Sequence, residues 1–170
     1  MSDKKWELLR APTPPNRIEF KVGSGKSGAK RAMVLSYMDA RFVEDRLDEI
    51  MGAENWSASF DFLEWGGKPF VSCKLTVMGI EKQNVGSHGD KDPMDACSHA
   101  FKRCASHGFG IGRDLYDSPD IWLKVGTDWS SQIRDTGRSL VITDDGRKEA
   151  LRIYMAAKPK PAQGAGKERK

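Results

Sequence analysis

Two runs of alternating residues joined by a pair of glycines constrain the fold of this chain most. Between residues 56 and 62 the apolar side chains occupy every second position of a run that extends to residue 65, and this is the period of a β-strand with one buried face. Gly66 and Gly67 provide a tight turn, and further strand-like runs follow at residues 70–79 and 80–85. The pattern predicts a three-stranded antiparallel meander. The side chains that share one face of the first run are Trp56, Ala58, Phe60 and Phe62.

Two other segments have the 3.6-residue period of amphipathic helices. After Asp39 the apolar residues fall on one stripe and Gly52 takes the position of a C-terminal cap. This stripe consists of Val43, Leu47, Ile50 and Met51. A second helix is predicted to begin at Asp92 and Pro93. Its predicted buried stripe consists of Met94, Cys97, Ala100, Phe101, Cys104 and Gly108, and its polar arc of His99, Lys102, Arg103 and Ser106.

The two ends of the chain carry weaker patterns. Residues 3–10 predict a short helix that the following prolines end, and residues 17–22 and 32–37 predict a hairpin with a basic Gly/Ser/Lys tip. Towards the other end we expect a strand at 139–143, a turn at 144–146 and a helix at 147–157. Helices packed beside an antiparallel meander place the chain in the α+β fold class.

Length and composition restrict the class of protein. A chain of 170 residues with 38% apolar side chains can bury one sizeable core, and it has no run of about 18 apolar residues that would span a membrane. The first 20 residues contain prolines instead of an apolar signal segment. Three cysteines, an odd number, favour free thiols in a reducing compartment. We therefore expect a cytoplasmic protein.

Positive charge is concentrated at the two ends of the chain. The formal net charge is +4; residues 158–170 alone carry a net +4 and residues 1–36 a net +5, whereas residues 37–157 carry −5. The tail from residue 158 has too few apolar side chains to order itself, so we predict that it is disordered. Such a tail suits a polyanion such as nucleic acid, but a merely solubilising tail has the same composition.

Three clusters resemble catalytic or metal sites incompletely. Residues 23–28 lack the first glycine of a phosphate-binding loop, because position 20 is Phe. Glu19 and Lys21 match half of a metal-dependent nuclease motif whose second carboxylate is missing. A candidate zinc quartet lies on one predicted helix, where its members cannot converge on one ion: Cys97, His99, Cys104 and His107. We predict no catalytic residue, no metal site and no cofactor, with a metal-dependent DNA nuclease as an alternative.

Cationic side chains near tryptophans form the most informative constellation. They are Lys30 and Arg31 at the hairpin tip, Arg41 on the first amphipathic helix, Trp65 and Lys68 beside the glycine turn, and Lys102 and Arg103 on the second helix. Lys and Arg neutralise phosphates, and aromatic rings stack on unpaired bases. The mixture favours single-stranded nucleic acid, although ordinary surface ion pairs, such as one between Arg41 and Asp45, would also account for the charges.

Two stretches resemble signature motifs of the Rad52 family of single-strand annealing proteins. The first runs from Tyr37-Met38-Asp39-Ala40-Arg41 through Gly52 to Trp56. The second, within residues 95–117, contains Lys102-Arg103 and the helix exit Phe109-Gly110-Ile111-Gly112-Arg113. The likeness covers about residues 6–122, in the same order and with compatible lengths. The compact second motif is similar to that of bacterial and phage members, including those of the DNA damage response type.

The resemblance implies a β-β-β-α annealing core that assembles into an oligomeric ring, with single-stranded DNA in a groove between a helix and a β-hairpin. It implies that Arg41, Lys102 and Arg103 line this inner groove and that Lys68 belongs to an outer DNA site. One departure is Ser106, which stands where the family has a third basic residue. We therefore expect a weaker basic groove than in other members.

These expectations combine into one functional hypothesis. The chain is expected to bind single-stranded DNA and to anneal complementary strands, or to protect DNA ends, in recombination and double-strand break repair without ATP. Its expected partners are single-stranded DNA, further copies of itself, and a single-strand binding protein or an exonuclease, in the bacterial nucleoid or a phage-infected cell and away from membranes. We expect an annealing core at residues 1–122, a strand and helix extension of unknown role at 123–157 and a basic tail at 158–170. The second alternative is an adaptor protein that acts through this tail.

Overall fold

The computed structural model describes residues 3–87 and 93–157. In these residues the helices are α1 (Asp3–Leu9), α2 (Ala40–Met51), α3 (Pro93–Cys104) and α4 (Asp144–Ala156), and the strands are β1 (Ile18–Ser24), β2 (Arg31–Met38), β3 (Trp56–Trp65), β4 (Lys68–Val77), β5 (Ile80–Gly86), β6 (Ile121–Gly126), β7 (Ile133–Asp135) and β8 (Leu140–Ile142). The α+β fold class is therefore confirmed. The predicted disordered tail and the predicted start of the second helix at Asp92 lie outside the described residues.

The chain divides into two compact units. The first unit contains Met1–Glu19 and Tyr37–Leu115, and the second contains Phe20–Ser36 and Tyr116–Lys170. Strands β3, β4 and β5 form a three-stranded sheet in the first unit, and β1, β2, β6, β7 and β8 form a five-stranded sheet that lies mainly in the second. No helix of the described segments is both long and apolar enough to cross a membrane.

The three-stranded sheet is the predicted meander. Strand β3 pairs antiparallel with β4, from Trp56 opposite Val77 to Trp65 opposite Lys68, and β4 pairs antiparallel with β5. Gly66 and Gly67 form the first turn with φ angles of 59° and 72°, a conformation that glycine adopts without a steric penalty. The alternating residues of β4 that are buried on one face are Val71, Cys73, Leu75 and Val77.

Helix α2 confirms three residues of its predicted stripe, Val43, Leu47 and Met51, whereas the fourth, Ile50, is half-buried. The Asp39 side chain accepts a hydrogen bond from the Arg41 amide at the N-terminus, and Gly52 ends the helix with φ 93°. Both caps satisfy backbone groups that a helix end leaves without partners. The buried residues of this helix are Phe42, Val43, Leu47 and Met51.

Helix α3 packs on the meander with part of its predicted stripe, because Ala100, Phe101 and Cys104 are buried as predicted and Met94, Cys97 and Gly108 are not. The buried residues are Ala96, Ala100, Phe101 and Cys104, whereas Met94 is 69% exposed and Cys97 is half-buried. A Cβ on Gly86 of β5 would lie only 2.5 Å from the Ala100 amide nitrogen. The helix therefore approaches the sheet through its small residues, and Met94, in its first turn, is exposed.

The chain continues beyond α3 as a π-helix at Ala105–Phe109. A π-turn inserts one residue relative to an α-turn and rotates the residues that follow. Ser106 is consequently buried, and its Oγ has no hydrogen-bond partner in the described part of the chain. Its predicted place on the polar arc was wrong. The helical segment ends at Gly110, whose φ is 86°.

The second unit contains two strands that the sequence patterns did not predict. Strand β6 pairs antiparallel with β2, with Ala32 opposite Leu123, and parallel with β7, with Val125 opposite Ile133. The predicted strand near residues 139–143 is confirmed as β8. The predicted turn at residues 144–146 was wrong, because these residues form the first turn of α4 and the Gly146 amide donates to the Thr143 side chain.

Candidate nucleic-acid interface

The predicted basic pair lies in the last turn of α3. Lys102 is half-buried and Arg103 is exposed. Their neighbour Phe101 is buried and stacks on Trp56 of β3, with ring centroids 6.1 Å apart. This stacking anchors α3 on the sheet, so both cations extend from a fixed backbone.

Lys102 reaches the segment of chain that leads into α2. Its Nζ lies 5.4 Å from the centroid of the Tyr37 ring, within the range of a cation–π interaction. Tyr37 precedes the helix-capping residue Asp39, and Arg41 is the second residue of α2. The contact therefore joins the lysine of one predicted DNA-binding motif to the aromatic residue that begins the other.

Arg41 is exposed at the start of α2. The ion pair with Asp45 considered from the sequence does not form, because Asp45 pairs with Arg17 at 2.6 Å. Within residues 3–87 and 93–157, no carboxylate forms an ion pair with Arg41 or with Arg103. Neither guanidinium is therefore neutralised by a described acidic side chain.

Arg113, from the second predicted motif, has a structural contact instead of a place beside Lys102. Its guanidinium donates hydrogen bonds to the carbonyl oxygens of Ser106 and His107, the shortest at 2.7 Å. These carbonyls lie in the π-helix, and the Ser106 carbonyl also accepts a hydrogen bond from the Gly110 amide. His107 is exposed, and its Nδ1 lies 3.2 Å from the side-chain amide nitrogen of Asn84. The arginine thus closes the helix exit.

The hairpin site consists of Lys68 and the backbone of Trp65. Lys68 is exposed, and it pairs in register with Trp65 across the Gly66-Gly67 turn. Two aromatic residues of β3 on the face shared with Val71 and Cys73 are also exposed, Phe60 at 38% and Phe62 at 69%. The hairpin therefore presents exposed apolar rings on one face, and Lys68 lies on the opposite face.

Lys30 and Arg31 belong to the second unit. Both are exposed, and Arg31 lies in β2 opposite Lys124. The loop before them is not arranged as a phosphate cradle, because its donors bind a carboxylate of the protein. The Gly28 amide and the Ser27 hydroxyl donate to Asp135, at 2.7 Å and 2.9 Å.

The candidate metal and nuclease residues are not grouped. Among the described residues, no cluster of three His, Cys, Asp or Glu side chains could hold a metal ion. All three cysteines are free thiols, as expected. The side chain of Cys73 forms a hydrogen bond with that of Cys104. This hydrogen bond and burial both raise the pKa of the Cys73 thiol. The Nδ1 atom of His99 lies within hydrogen-bonding distance of the Ser87 carbonyl oxygen, at 3.2 Å.

A comparison with protein families places these motifs in a known group. Residues 4–132 match the model of the Rad52/22 family of double-strand break repair proteins. The chain belongs to the Rad52 family. It is 38% identical over 118 residues to the single-stranded DNA-binding protein DdrA of Deinococcus deserti, and the aligned residues cover 68% of this chain and 58% of that protein. It is 35% identical over 129 residues to DdrA of Deinococcus radiodurans, covering 74% of this chain and 59% of the relative. The chain thus spans less than two thirds of the length of these relatives.

Sequence reasoning missed a group of basic and aromatic side chains in the second unit. They are Trp122, Lys124, Trp129 and Arg134. The Rad52-family match ends at residue 132, and the motifs that carry the resemblance end before β6. The alternation of apolar residues at positions 121, 123 and 125 was the available signal, since it predicts a strand whose outward residues are Trp122 and Lys124.

Proposed function

We propose that this chain binds single-stranded DNA and promotes the annealing of complementary strands, or the protection of DNA ends, in double-strand break repair, without ATP. The proposal is supported by membership of the Rad52 family and by the single-stranded DNA binding for which both DdrA relatives are named. The single observation that carries it is the contact of Lys102 with Tyr37. It joins the cation pair of α3 to the segment that carries Arg41.

The mechanism follows from the chemistry of these side chains. Arg41, Lys102 and Arg103 bind the sugar-phosphate backbone, because phosphates are the groups that guanidinium and ammonium neutralise best. Because these side chains contact the backbone and not the bases, the bases remain able to pair. A strand held in an extended form has already lost most of the conformational freedom that pairing would cost, so a complementary strand can anneal faster. No step in this process needs a nucleotide cofactor.

Assembly into a ring forms part of the proposal. The three-stranded sheet ends in two different edge strands, β3 and β5. Different edges suit a head-to-tail contact between copies, which closes into a ring when the rotation is right. The exposed rings of Phe60 and Phe62 supply apolar area for such a contact. Repetition of Arg41, Lys102 and Arg103 around a ring would raise the local positive potential above that of one copy.

The remaining predicted residues are assigned secondary roles. We assign Lys68 and Trp65 to an outer DNA contact on the hairpin, and Lys30 and Arg31 to phosphate contacts in the second unit. The annealing core is assigned to residues 1–122. Single-strand binding proteins and exonucleases are the proposed protein partners, because both act on the same DNA ends.

The test removes the α3 cation pair. Lys102→Ala combined with Arg103→Ala should weaken binding of a fluorescent oligothymidylate about ten-fold or more. The binding constant should also fall less steeply with salt, the slope of its logarithm against log salt becoming less negative by about 1.4. Annealing of two complementary labelled strands should slow in parallel. Light scattering on both proteins reports whether the assembly is unchanged.

Lys4→Ala combined with Lys5→Ala is the matched control. It removes the same charge from exposed positions on α1, so it should change binding less than about two-fold if position and not net charge decides affinity. Equal losses in the two double variants would refute the assignment of the α3 pair. Normal binding by the α3 variant would refute it as well.

A further inference from the structure

The outward positions of β2 and β6 bring basic and aromatic side chains together in the second unit. Arg31 lies opposite Lys124, and Met33 opposite Trp122. Directly opposed residues of an antiparallel pair point to the same side of the sheet. The alternating residues Ala32, Val34, Ile121 and Leu123 are buried, so the first set faces away from the core.

The same face continues onto β7. Gly126 lies opposite Arg134 in the parallel pair, while the neighbouring Ile133 is buried. The Arg134 guanidinium carbon lies 4.2 Å from the centroid of the Trp129 ring. This is a close cation–π contact, and it fixes the indole against the sheet. We call this surface, consisting of Arg31, Met33, Trp122, Lys124, Trp129 and Arg134, the outer sheet face.

The two tryptophans of the outer sheet face are in contact with solvent. Trp122 is 44% exposed and Trp129 is 65% exposed. Exposure of an indole ring to water is unfavourable, and a partner that covers the ring removes this cost. Two exposed indoles on one surface therefore indicate a binding site. A flat apolar partner such as a nucleobase would fit both rings by stacking.

The charge of the outer sheet face selects an anionic partner. The outward residues of β2, β6 and β7 within this unit include three cations and no carboxylate: Arg31, Met33, Leu35, Trp122, Lys124, Gly126 and Arg134. The neighbouring carboxylates of Asp128 and Asp135 accept hydrogen bonds from Ser130 and Gly28, which lowers the pKa of both groups. Asp135 is the last residue of β7 and Asp128 directly precedes Trp129, so both carboxylates lie beside the outer sheet face but are engaged by hydrogen bonds within the protein.

Of the two forms of DNA, only single strands combine phosphates with uncovered base faces. In a duplex the base faces are covered by stacking on each other, so the indoles would have no surface to contact. We propose that the outer sheet face is a further binding surface for single-stranded DNA, which adds Trp122, Lys124, Trp129 and Arg134 to the predicted DNA-binding residue Arg31. This inference rests on the proposed function and adds a contact by stacking to contacts with phosphates.

The experiment separates stacking from charge with two probes and the full chain. The probes are a fluorescent oligothymidylate and a strand of equal length without bases. Trp122→Ala should weaken binding of oligothymidylate about five-fold or more and leave the abasic strand unaffected. Trp122→Leu, which keeps an apolar side chain at this position, should lose the same binding and guards against a folding defect.

Charge is tested with a matched pair in the same unit. Lys124→Ala should weaken binding of both probes, and Lys148→Ala on α4 should weaken neither, since Lys148 pairs with Asp145 at 3.3 Å and lies outside the outer sheet face. Lys124 and Lys148 are both exposed, so neither change is expected to unfold the protein.

Each outcome decides between the possible roles. Wild-type affinity of the Trp122 and Lys124 variants for both probes would overturn the inference, while a loss in the Lys102 and Arg103 variant would leave the proposed function standing. A wild-type protein that binds neither probe would refute both. A changed particle mass with normal DNA binding would show that the outer sheet face contacts another copy of the chain, which also overturns the inference.

Discussion

The ammonium group of Lys102 lies over the ring of Tyr37, 5.4 Å from its centroid. The two residues are 65 positions apart in the sequence, on α3 and at the end of β2. A lysine side chain has many rotamers, and fixing it costs up to about 2 kcal/mol. The aromatic face reduces that cost before DNA arrives, because it already holds the ammonium at one place.

Replacing Tyr37 therefore tests whether a positioned lysine matters. Tyr37→Leu should reduce affinity for oligothymidylate about two- to five-fold, the equivalent of about 0.5 to 1 kcal/mol for an exposed cation–π contact. Tyr37→Phe retains the ring and should bind like the wild type. Fluorescence anisotropy at fixed salt measures both. If the Phe variant loses as much as the Leu variant, the ring face is not what positions Lys102.

The glycine motif after α3 makes a prediction about stability. Gly112 has φ 65°, and a Cβ there would overlap the sulfur of buried Met38. Gly112→Ala should lower the free energy of unfolding by about 2 to 4 kcal/mol, since backbone strain adds to overpacking.

Gly137 provides the matched comparison. Its φ is 78°, but among the described residues no atom beyond its immediate chain neighbours lies within 4 Å of the place that a Cβ would occupy. Gly137→Ala should therefore cost only the strain, about 1 to 2 kcal/mol. Urea unfolding of both variants measures the difference. Equal losses of unfolding free energy in the two variants would mean that Met38 moves aside without cost. Backbone conformation alone would then explain the effect of replacing Gly112.

Local patterns were sufficient for the elements that carry their own boundaries. The meander follows from the alternation at residues 56–62 and the Gly66-Gly67 turn, and α2 follows from its Asp39 cap and the glycine at 52. In each case the residues that start and stop the element are adjacent to it in sequence. Such signals act before any tertiary contact forms, which is why the sequence could predict them.

The missed features depend on distant parts of the chain. Strand β6 is stabilised by pairing with β2, where Ala32 lies opposite Leu123, 91 positions away. The burial of Ala96 on α3 accompanies the close approach of the helix to Gly86, and the burial of Ser106 accompanies a π-turn. No periodicity within a single segment reports these contacts. The partner of Asp45 was likewise Arg17 and not the nearby Arg41.

The carboxylate of Asp135 should make the β1–β2 loop sensitive to acid. It accepts hydrogen bonds from the Gly28 amide, the Gly137 amide and the Ser27 hydroxyl, which hold the pKa of Asp135 below its usual range. Because the folded pKa is lowered, these contacts contribute fully above the ordinary aspartate pKa of about 3.9 and are lost as the pH falls through the lowered value. The amide proton resonance of Gly28 should therefore titrate with a midpoint below that of an ordinary aspartate. In Asp135→Asn the same resonance should show no such step, and a midpoint at or above about 4 in the wild type would contradict the hydrogen-bonded loop.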